Sequence, residues 1–344
     1  MSDLAYGRLL AGDESTMRRA RETFLAQPVD LVVPHRPEEA YVDQETTLSD
    51  SFSVTGPGTF LGKAQRTLTF VPSELPGWWI DREDQPDSLP VRVSIENVWT
   101  TGSTVSNIVL RSGSPHNYLR MVEHIVALRY GMALDNVCIR VSSGDPPLFE
   151  RGSLDLVEAM DRAGITPVGR SASYVTVKES VSIVGPHGNF LTFHPAPPGS
   201  RELTIDCALD FPNAIGKQRI QYTMNNATFR QGAVARTNTN IWVMLYCKTV
   251  GKIFADVRNL GYSSKNLLIA GPKTYFNTPQ LVHEGKSLEA VWHRSALDLL
   301  AAIALIDSGR FVGHVESYKA GHALDCKFVT KLVQHKLLVP VPAS

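Results

Sequence analysis

Cysteine is scarce in this chain of 344 residues, and its four cysteines contain no CxxC pair. Scattered cysteines of this kind are typical of reduced thiols in a cytoplasmic protein and make a cysteine-based zinc site unlikely. The sequence also lacks an excess of either charge, because 34 basic residues balance 34 acidic ones. The longest apolar run, residues 296–306, is interrupted by Asp298, and the N-terminus has no signal-peptide pattern. We therefore predict a cytoplasmic protein with no transmembrane segment and no nucleic-acid partner.

What the sequence does contain is a succession of strand-like and helix-like segments that occurs twice. From Thr46 onward, short β-rich segments are followed by residues 118–129, whose apolar positions have helical spacing. The second half repeats this order, with strand-like segments from residue 174 and helical segments at 249–259 and 286–308. Strands and helices in this order predict an α+β fold with two similar domains.

The chain is accordingly divided into three parts. Residues 1–43 form an N-terminal appendage with one helical segment, residues 14–27, for which Asp13 or Ser15 is a suitable cap. Residues 44–168 and 169–344 form the first and second α+β domains.

Three segments carry most of the chemistry. Residues 119–141 read LRMVEHIVALRYGMALDNVCIRV, residues 289–298 read EAVWHRSALD, and residues 317–325 read SYKAGHALD. Taken alone, a Glu-His pair on an amphipathic helix can be a solvated edge, and nearby histidines can be structural. In this order, however, the segments resemble the UDP-3-O-acyl-N-acetylglucosamine deacetylases, the zinc amidases of lipid A synthesis, over roughly residues 46–338.

The resemblance implies a metal centre between two domains. In that family helices pack between two outer sheets as a β-α-α-β sandwich, and Zn²⁺ lies at the domain junction. The matching positions imply His124, His293 and Asp298 as zinc ligands and Glu123 as the general base.

The same resemblance implies how the substrate is held and activated. His322 would stabilise the tetrahedral oxyanion and protonate the leaving amine, assisted by the hydroxyl of Thr204, which could equally be an ordinary strand residue. Arg294 and Lys319 would bind the substrate, a UDP-amino sugar that carries an acyl chain.

One spacing departs from the family pattern. The family has its helical His and Asp four residues apart, whereas His293 and Asp298 are five apart. On a regular α-helix these two side chains would diverge by about 140°, too far to share one ion. A π-bulge would absorb the extra residue and bring them together. Alternatively, His293 lies just before a regular helix and Arg294 takes the ligand position, where a guanidinium cannot bind zinc.

Two further positions differ in residue type. Ala302 stands where the family has an aspartate that orients the catalytic histidine, which predicts a less basic His322. The family motif ARTF occurs here as ARTN, with Asn238 in place of the aromatic residue. The sequence therefore leaves two functions open: a zinc-dependent N-deacetylase, or a diverged paralogue that binds a nucleotide sugar, lipid or partner protein without turnover.

Overall fold

The computed structural model describes residues 5–35, 43–59, 64–102, 107–249, 253 and 261–341. Within these residues the helices, in chain order, are α1 (Glu14–Ala26), α2 (Glu123–Gly131), α3 (Leu154–Ala163), α4 (Asn226–Ala233), α5 (Ile241–Lys248), α6 (Glu289–His293), a π-helix (Arg294–Leu299), α7 (Leu300–Ala304) and α8 (His322–Gln334).

The strands of the described residues, in chain order, are β1 (Arg8–Ala11), β2 (Leu31–Val32), β3 (Gln44–Leu48), β4 (Phe52–Pro57), β5 (Gln65–Pro72), β6 (Trp78–Arg82), β7 (Val91–Arg92), β8 (Val98–Thr100), β9 (Val109–Arg111), β10 (Tyr118–Arg120), β11 (Val137–Val141), β12 (Ile165–Ser171), β13 (Tyr174–Val177), β14 (Val181–Val184), β15 (Phe190–His194), β16 (Leu203–Asp210), β17 (Lys217–Thr223), β18 (Thr237–Asn240), β19 (Leu267–Ala270), β20 (Val282–His283), β21 (Lys286–Ser287), β22 (Arg310–Phe311), β23 (Gly313–Tyr318) and β24 (Leu338–Pro340). The chain is therefore a mixed α+β protein, as the sequence predicts.

Each half of the chain contributes one large sheet. The first half forms a five-stranded sheet in the order β4-β5-β11-β6-β7. On β11, Val137, Ile139 and Val141 are buried because alternate residues of a strand point to the same face. The second half forms most of a seven-stranded sheet in the order β1-β14-β15-β23-β16-β17-β2.

The N-terminal segment completes the second of these sheets. β1 pairs in parallel with β14 at one edge, and β2 pairs in parallel with β17 at the other. The N-terminal strands thus cover β14 and β17 and become the edge strands themselves, and their length of four and two residues leaves few unpaired backbone groups for association with other chains. Helix α1 begins after Asp13, whose side chain accepts a hydrogen bond from the Thr16 amide, so the predicted cap at Asp13 is confirmed.

The helices bring distant segments together in the middle of the fold. α2 packs against α7 and the π-helix, while α8 packs against α7, β14 and β15. One continuous cluster of buried apolar side chains includes Leu68 and Val126 from the first half and Phe193 and Leu300 from the second. The predicted division into two domains remains a prediction.

Some predicted boundaries differ from the structure. The helix expected over 118–129 begins only at Glu123, because Tyr118–Arg120 pairs with β9 as strand β10 and Met121 turns the chain with φ 50°. Most of the helix expected over 249–259 lies outside the described residues. Among the described residues, none of the helices combines the length and apolarity needed to cross a bilayer.

Candidate active site

A cavity of about 400 Å³ opens where α2, the π-helix and the start of α8 meet. Its polar lining includes Glu123 and His124 from α2, His293 and Asp298 from the π-helix region, and His322 from α8. The structure thus brings together five of the residues that the resemblance singles out. They come from three distant parts of the sequence, and the packing of the helices brings them close together.

The five-residue spacing between His293 and Asp298 is accommodated by a π-helix. α6 ends at His293, the π-helix continues over Arg294–Leu299, and α7 follows without a break. A π-turn takes up one surplus residue, so both side chains lie on the same face. Nδ1 of His293 is 3.4 Å from Oδ2 of Asp298. The predicted bulge is confirmed, and the alternative of a regular helix with Arg294 in the ligand position is wrong.

The imidazoles of His124 and His293 face each other. Their Nε2 atoms are 3.0 Å apart, and the Thr237 hydroxyl oxygen is 3.0 Å from Nε2 of His293 and 3.5 Å from Nε2 of His124. Burial lowers the pKa of His124 to about 3, and the charge of His293 acts in the same direction. His124 is therefore neutral at physiological pH, which is the form that binds metal ions.

Glu123 is a buried carboxyl at the first position of α2. Its Oε1 accepts a hydrogen bond from the Ile108 amide, and the residue is only 4% exposed. Burial raises the pKa of Glu123 to about 8, and the negative charge of Asp298 adds to the effect. With this pKa the carboxyl of Glu123 is mostly protonated at neutral pH in the metal-free protein, and a nearby cation would favour its ionised form.

His322 begins α8 and faces both carboxyl groups. Its Nε2 is 3.5 Å from Oδ1 of Asp298 and 3.7 Å from Oε1 of Glu123. Its Nδ1 is buried and has no hydrogen-bond partner among the described residues. Ala302, where the resemblance implies an aspartate, is a buried residue without a carboxylate. Burial lowers the pKa of His322, although the charge of Asp298 opposes this change.

Thr204 lies away from this cavity, contrary to the expectation from the sequence. Its hydroxyl is 2.9 Å from Nδ1 of His314, its partner in the pairing of β16 with β23, and it is not among the described residues that line the cavity. The hydroxyl beside the two imidazoles belongs to Thr237 instead. Thr237 is the threonine of the ARTN segment, so the sequence did contain a signal for it.

The two residues predicted to bind the substrate, Arg294 and Lys319, lie in different environments. Arg294 lines the cavity, but it is only 4% exposed, and its two Nη atoms donate to the carboxylate of Asp325 at 2.7 and 2.6 Å. The Arg294 guanidinium is therefore already paired, and its predicted role in binding the substrate stays a prediction. Lys319 is exposed, lies over the Tyr318 ring with Nζ 5.6 Å from its centroid, and is not among the described lining residues.

The side chains of this cavity are of the types that bind zinc, but one carboxylate does not face the converging imidazole nitrogens. In the described part of the chain, no group of three or more His, Cys, Asp or Glu side chains is arranged to hold a metal ion. The carboxylate of Asp298 faces Nδ1 of His293, whereas Nε2 of that ring faces His124. Two imidazoles and a carboxylate are nevertheless the donors that zinc prefers, and the imidazole nitrogens already converge. The side chain of Asp298 would have to rotate to complete the set.

Comparison with known proteins extends the similarity over most of the chain. Residues 45–334 match the family model for UDP-3-O-acyl N-acetylglycosamine deacetylase. A UDP-3-O-acyl-N-acetylglucosamine deacetylase of Syntrophus aciditrophicus is 27% identical over 292 residues, covering 85% of this chain and 87% of the relative.

Two further relatives carry the same name. The protein of Citrifermentans bemidjiense is 25% identical over 291 residues, covering 84% of this chain and 89% of its own. That of Brucella ovis is 24% identical over 297 residues, covering 84% and 95%. The chain belongs to the UDP-3-O-acyl N-acetylglycosamine deacetylase family.

Proposed function

We propose that this protein is a zinc-dependent amidase that removes acetate from a UDP-linked 3-O-acyl N-acetylglucosamine or a related N-acetyl amino sugar. The observation that carries the proposal is the π-helix, because it places His293 and Asp298 on one face beside His124. The two-domain layered architecture of the family is part of the same proposal.

The metal would be held by His124, His293 and Asp298. When bound, zinc supplies a Lewis acid that polarises the amide carbonyl and makes a water molecule more acidic. Glu123 lines the cavity with a buried carboxyl of raised pKa, and with a cation beside it that carboxylate would accept the proton of the attacking water.

His322 and Thr237 act on the oxygen and nitrogen of the amide. The Thr237 hydroxyl, 3.0 Å from Nε2 of His293, can donate a hydrogen bond to the oxyanion as the water attacks. His322 presents Nε2 to the same space, and a proton held there passes to the leaving amine. Acetate and a free amino sugar are the products.

The rest of the cavity suits an acylated substrate. Its walls are mainly apolar and include Leu148, Phe149, Leu209, Phe211 and Val243. An acyl chain would bury apolar surface there, at about 25 cal/mol for each Å² removed from water. Because Arg294 is held by Asp325, the nucleotide phosphates would need another cation, and the exposed Lys319 supplies one near the His322 loop.

A second candidate is a paralogue that binds such a ligand without turnover. It is favoured by the buried Nδ1 of His322, which has no hydrogen-bond partner among the described residues, and by the alanine at position 302, where the resemblance implies an aspartate. A neutral His322 is a poorer acid for the leaving amine than one held by a carboxylate.

Metal analysis and acetate release distinguish the two candidates. The amidase should purify with stoichiometric zinc and release acetate from UDP-3-O-acyl-N-acetylglucosamine, and His124→Ala should lose the metal. Glu123→Gln should keep the zinc and lower kcat by about 10² to 10⁴. Glu22→Gln, on the exposed face of α1, is the matched control and should change neither. Zinc without acetate release would favour the paralogue, and Glu123→Gln activity equal to wild type would remove Glu123 as the base.

A further inference from the structure

The N-terminal segment, residues 5–33, contacts the strand that leads to His322. This segment precedes the region that matches the family model, residues 45–334. Its helix α1 lies against the seven-stranded sheet, and its strands pair at both edges of that sheet. It therefore contributes contacts that the family match does not account for.

The apolar part of this contact is a small separate core. Met17 and Phe24 of α1 are fully buried and pack with Phe190 and Tyr318 of the sheet. The Phe24 ring is 5.4 Å from that of Phe190 and 5.9 Å from that of Tyr318, both edge to face. Aromatic pairs of this geometry hold side chains in a defined orientation. Tyr318 is the last residue of β23.

The polar part is an ion pair with the same strand. Nη2 of Arg21 is 3.0 Å from Oε1 of Glu316, and the two side chains are only 14% and 8% exposed. The other oxygen of Glu316 is 3.8 Å from Nε2 of His194. A pair this well shielded is screened less by solvent than a surface pair, so the attraction between its charges is stronger. Glu316 lies on β23, two residues before Tyr318.

Strand β23 leads directly to the candidate active site. After Tyr318 the chain turns at Lys319, which has φ 51° and whose amide donates to the Ala208 carbonyl. Ala320, Gly321 and His322 follow, and all three line the cavity. On the same strand, Ser317 contacts the Arg294 guanidinium at 3.4 Å. β23 thus connects the contacts of α1 to the position of His322.

We infer that the N-terminal segment positions His322, with Arg21 and Phe24 as positioning residues that act through β23. The catalytic consequence rests on the proposed function, whereas the position of the imidazole can be measured without it. A displacement of about 1 Å at a reacting group can lower a rate by about 100-fold, so small shifts of this strand matter.

The test uses full-length Arg21→Gln, with Arg19→Gln as the matched control. Arg19 lies on the exposed side of the same helix, and its guanidinium donates only to the hydroxyls of Ser15 and Thr16 among the described contacts. The measurement is the NMR signal of the His322 ring in histidine-labelled protein, assigned by comparison with His322→Gln. This signal should shift in Arg21→Gln and stay in place in Arg19→Gln. Arg21→Lys should restore most of the wild-type position.

The kinetic measurements should agree with the spectroscopic ones. Arg21→Gln should lower kcat by about tenfold with KM unchanged. Glu316→Gln should have the same effect, and the double variant should be no slower than either single variant. Zinc content must be unchanged and each variant must be fully folded at the assay temperature, which separates positioning from a loss of folded protein.

An unshifted His322 signal in both folded Arg21→Gln and folded Glu316→Gln would overturn the inference. If none of the proteins releases acetate, the proposed function fails, and the ring signal alone still decides whether α1 positions His322. Should Arg21→Gln fail to fold, the His322 signal of Glu316→Gln tests the same ion pair through its other partner.

Discussion

Replacing Arg294 with methionine will leave the carboxylate of Asp325 buried without its partner. The two side chains form a bidentate ion pair at 2.7 and 2.6 Å, and they are only 5% and 0% exposed. The pair joins the π-helix to the first turn of α8. It therefore adjoins the candidate active site, whose cavity Arg294 lines, and is well isolated from water.

The expected cost follows from this burial. Removal of one partner from a buried ion pair lowers the free energy of unfolding by about 3 to 5 kcal/mol, because the remaining charge cannot be hydrated. Burial already raises the pKa of Asp325 to about 6, and Arg294 opposes that rise. Without Arg294 the pKa will rise further, so the native state of Arg294→Met will bind a proton that the unfolded state releases. The penalty should then shrink as the pH falls.

Urea unfolding followed by tryptophan fluorescence can test this, in zinc and in chelator, at about pH 7 and about pH 5. The double variant Arg294→Met with Asp325→Leu should regain most of the lost stability, because two apolar side chains replace a charge pair. Lys265→Met is the control, since Lys265 and Glu150 form an exposed pair with side chains 65% and 62% accessible. Its effect should stay below about 1 kcal/mol.

Two results would refute the reasoning. One is an Arg294→Met variant within about 1 kcal/mol of wild type at neutral pH, which would mean that the pair is not isolated from solvent. The other is a double variant as unstable as the sum of the single variants, which would mean that packing rather than charge sets the cost.

Three further outcomes are expected. Gly131→Ala should lower stability by about 1 to 3 kcal/mol in thermal unfolding, because the new Cβ would lie 2.2 Å from the Phe229 ring; no loss would mean that the ring can move away. Thr237→Val should lower kcat by about 10² to 10³ with zinc content unchanged, whereas Thr204→Val should not; equal activities would exclude the hydroxyl from the chemistry. In metal-free protein, the low pKa of His124 means that the unfolded state binds its proton first. The contribution of His124 to stability should then fall as the pH drops below about 6.5, by up to about 1.4 kcal/mol per pH unit, and a His124→Asn variant with the same pH slope as wild type would contradict this.

Local features of the fold and site were predictable from the sequence. The Asp13 cap and the helix after it follow from side-chain to backbone bonds within one turn. The π-helix follows from a single surplus residue between His293 and Asp298, because the spacing of two residues on a helix sets the angle between their side chains. The grouping of Glu123, His124 and His322 followed from the family resemblance.

Other features could not be predicted, because they depend on contacts between distant segments. The choice of Thr237 over Thr204 depends on how β16 and β18 are placed relative to the two imidazoles. The start of α2 at Glu123 depends on β10 pairing with β9, which overrides the helical spacing of residues 118–122.

The sequence by itself determined the short-range chemistry: the order of the motifs, the extra residue in the helix and the loss of a carboxylate at Ala302. Only the tertiary structure decided that Arg294 is held by Asp325 and that the N-terminal segment covers both edges of the seven-stranded sheet. The physical reason is that side-chain directions within a helix depend on neighbouring residues, whereas ion-pair partners and strand pairing depend on the packing of the whole chain.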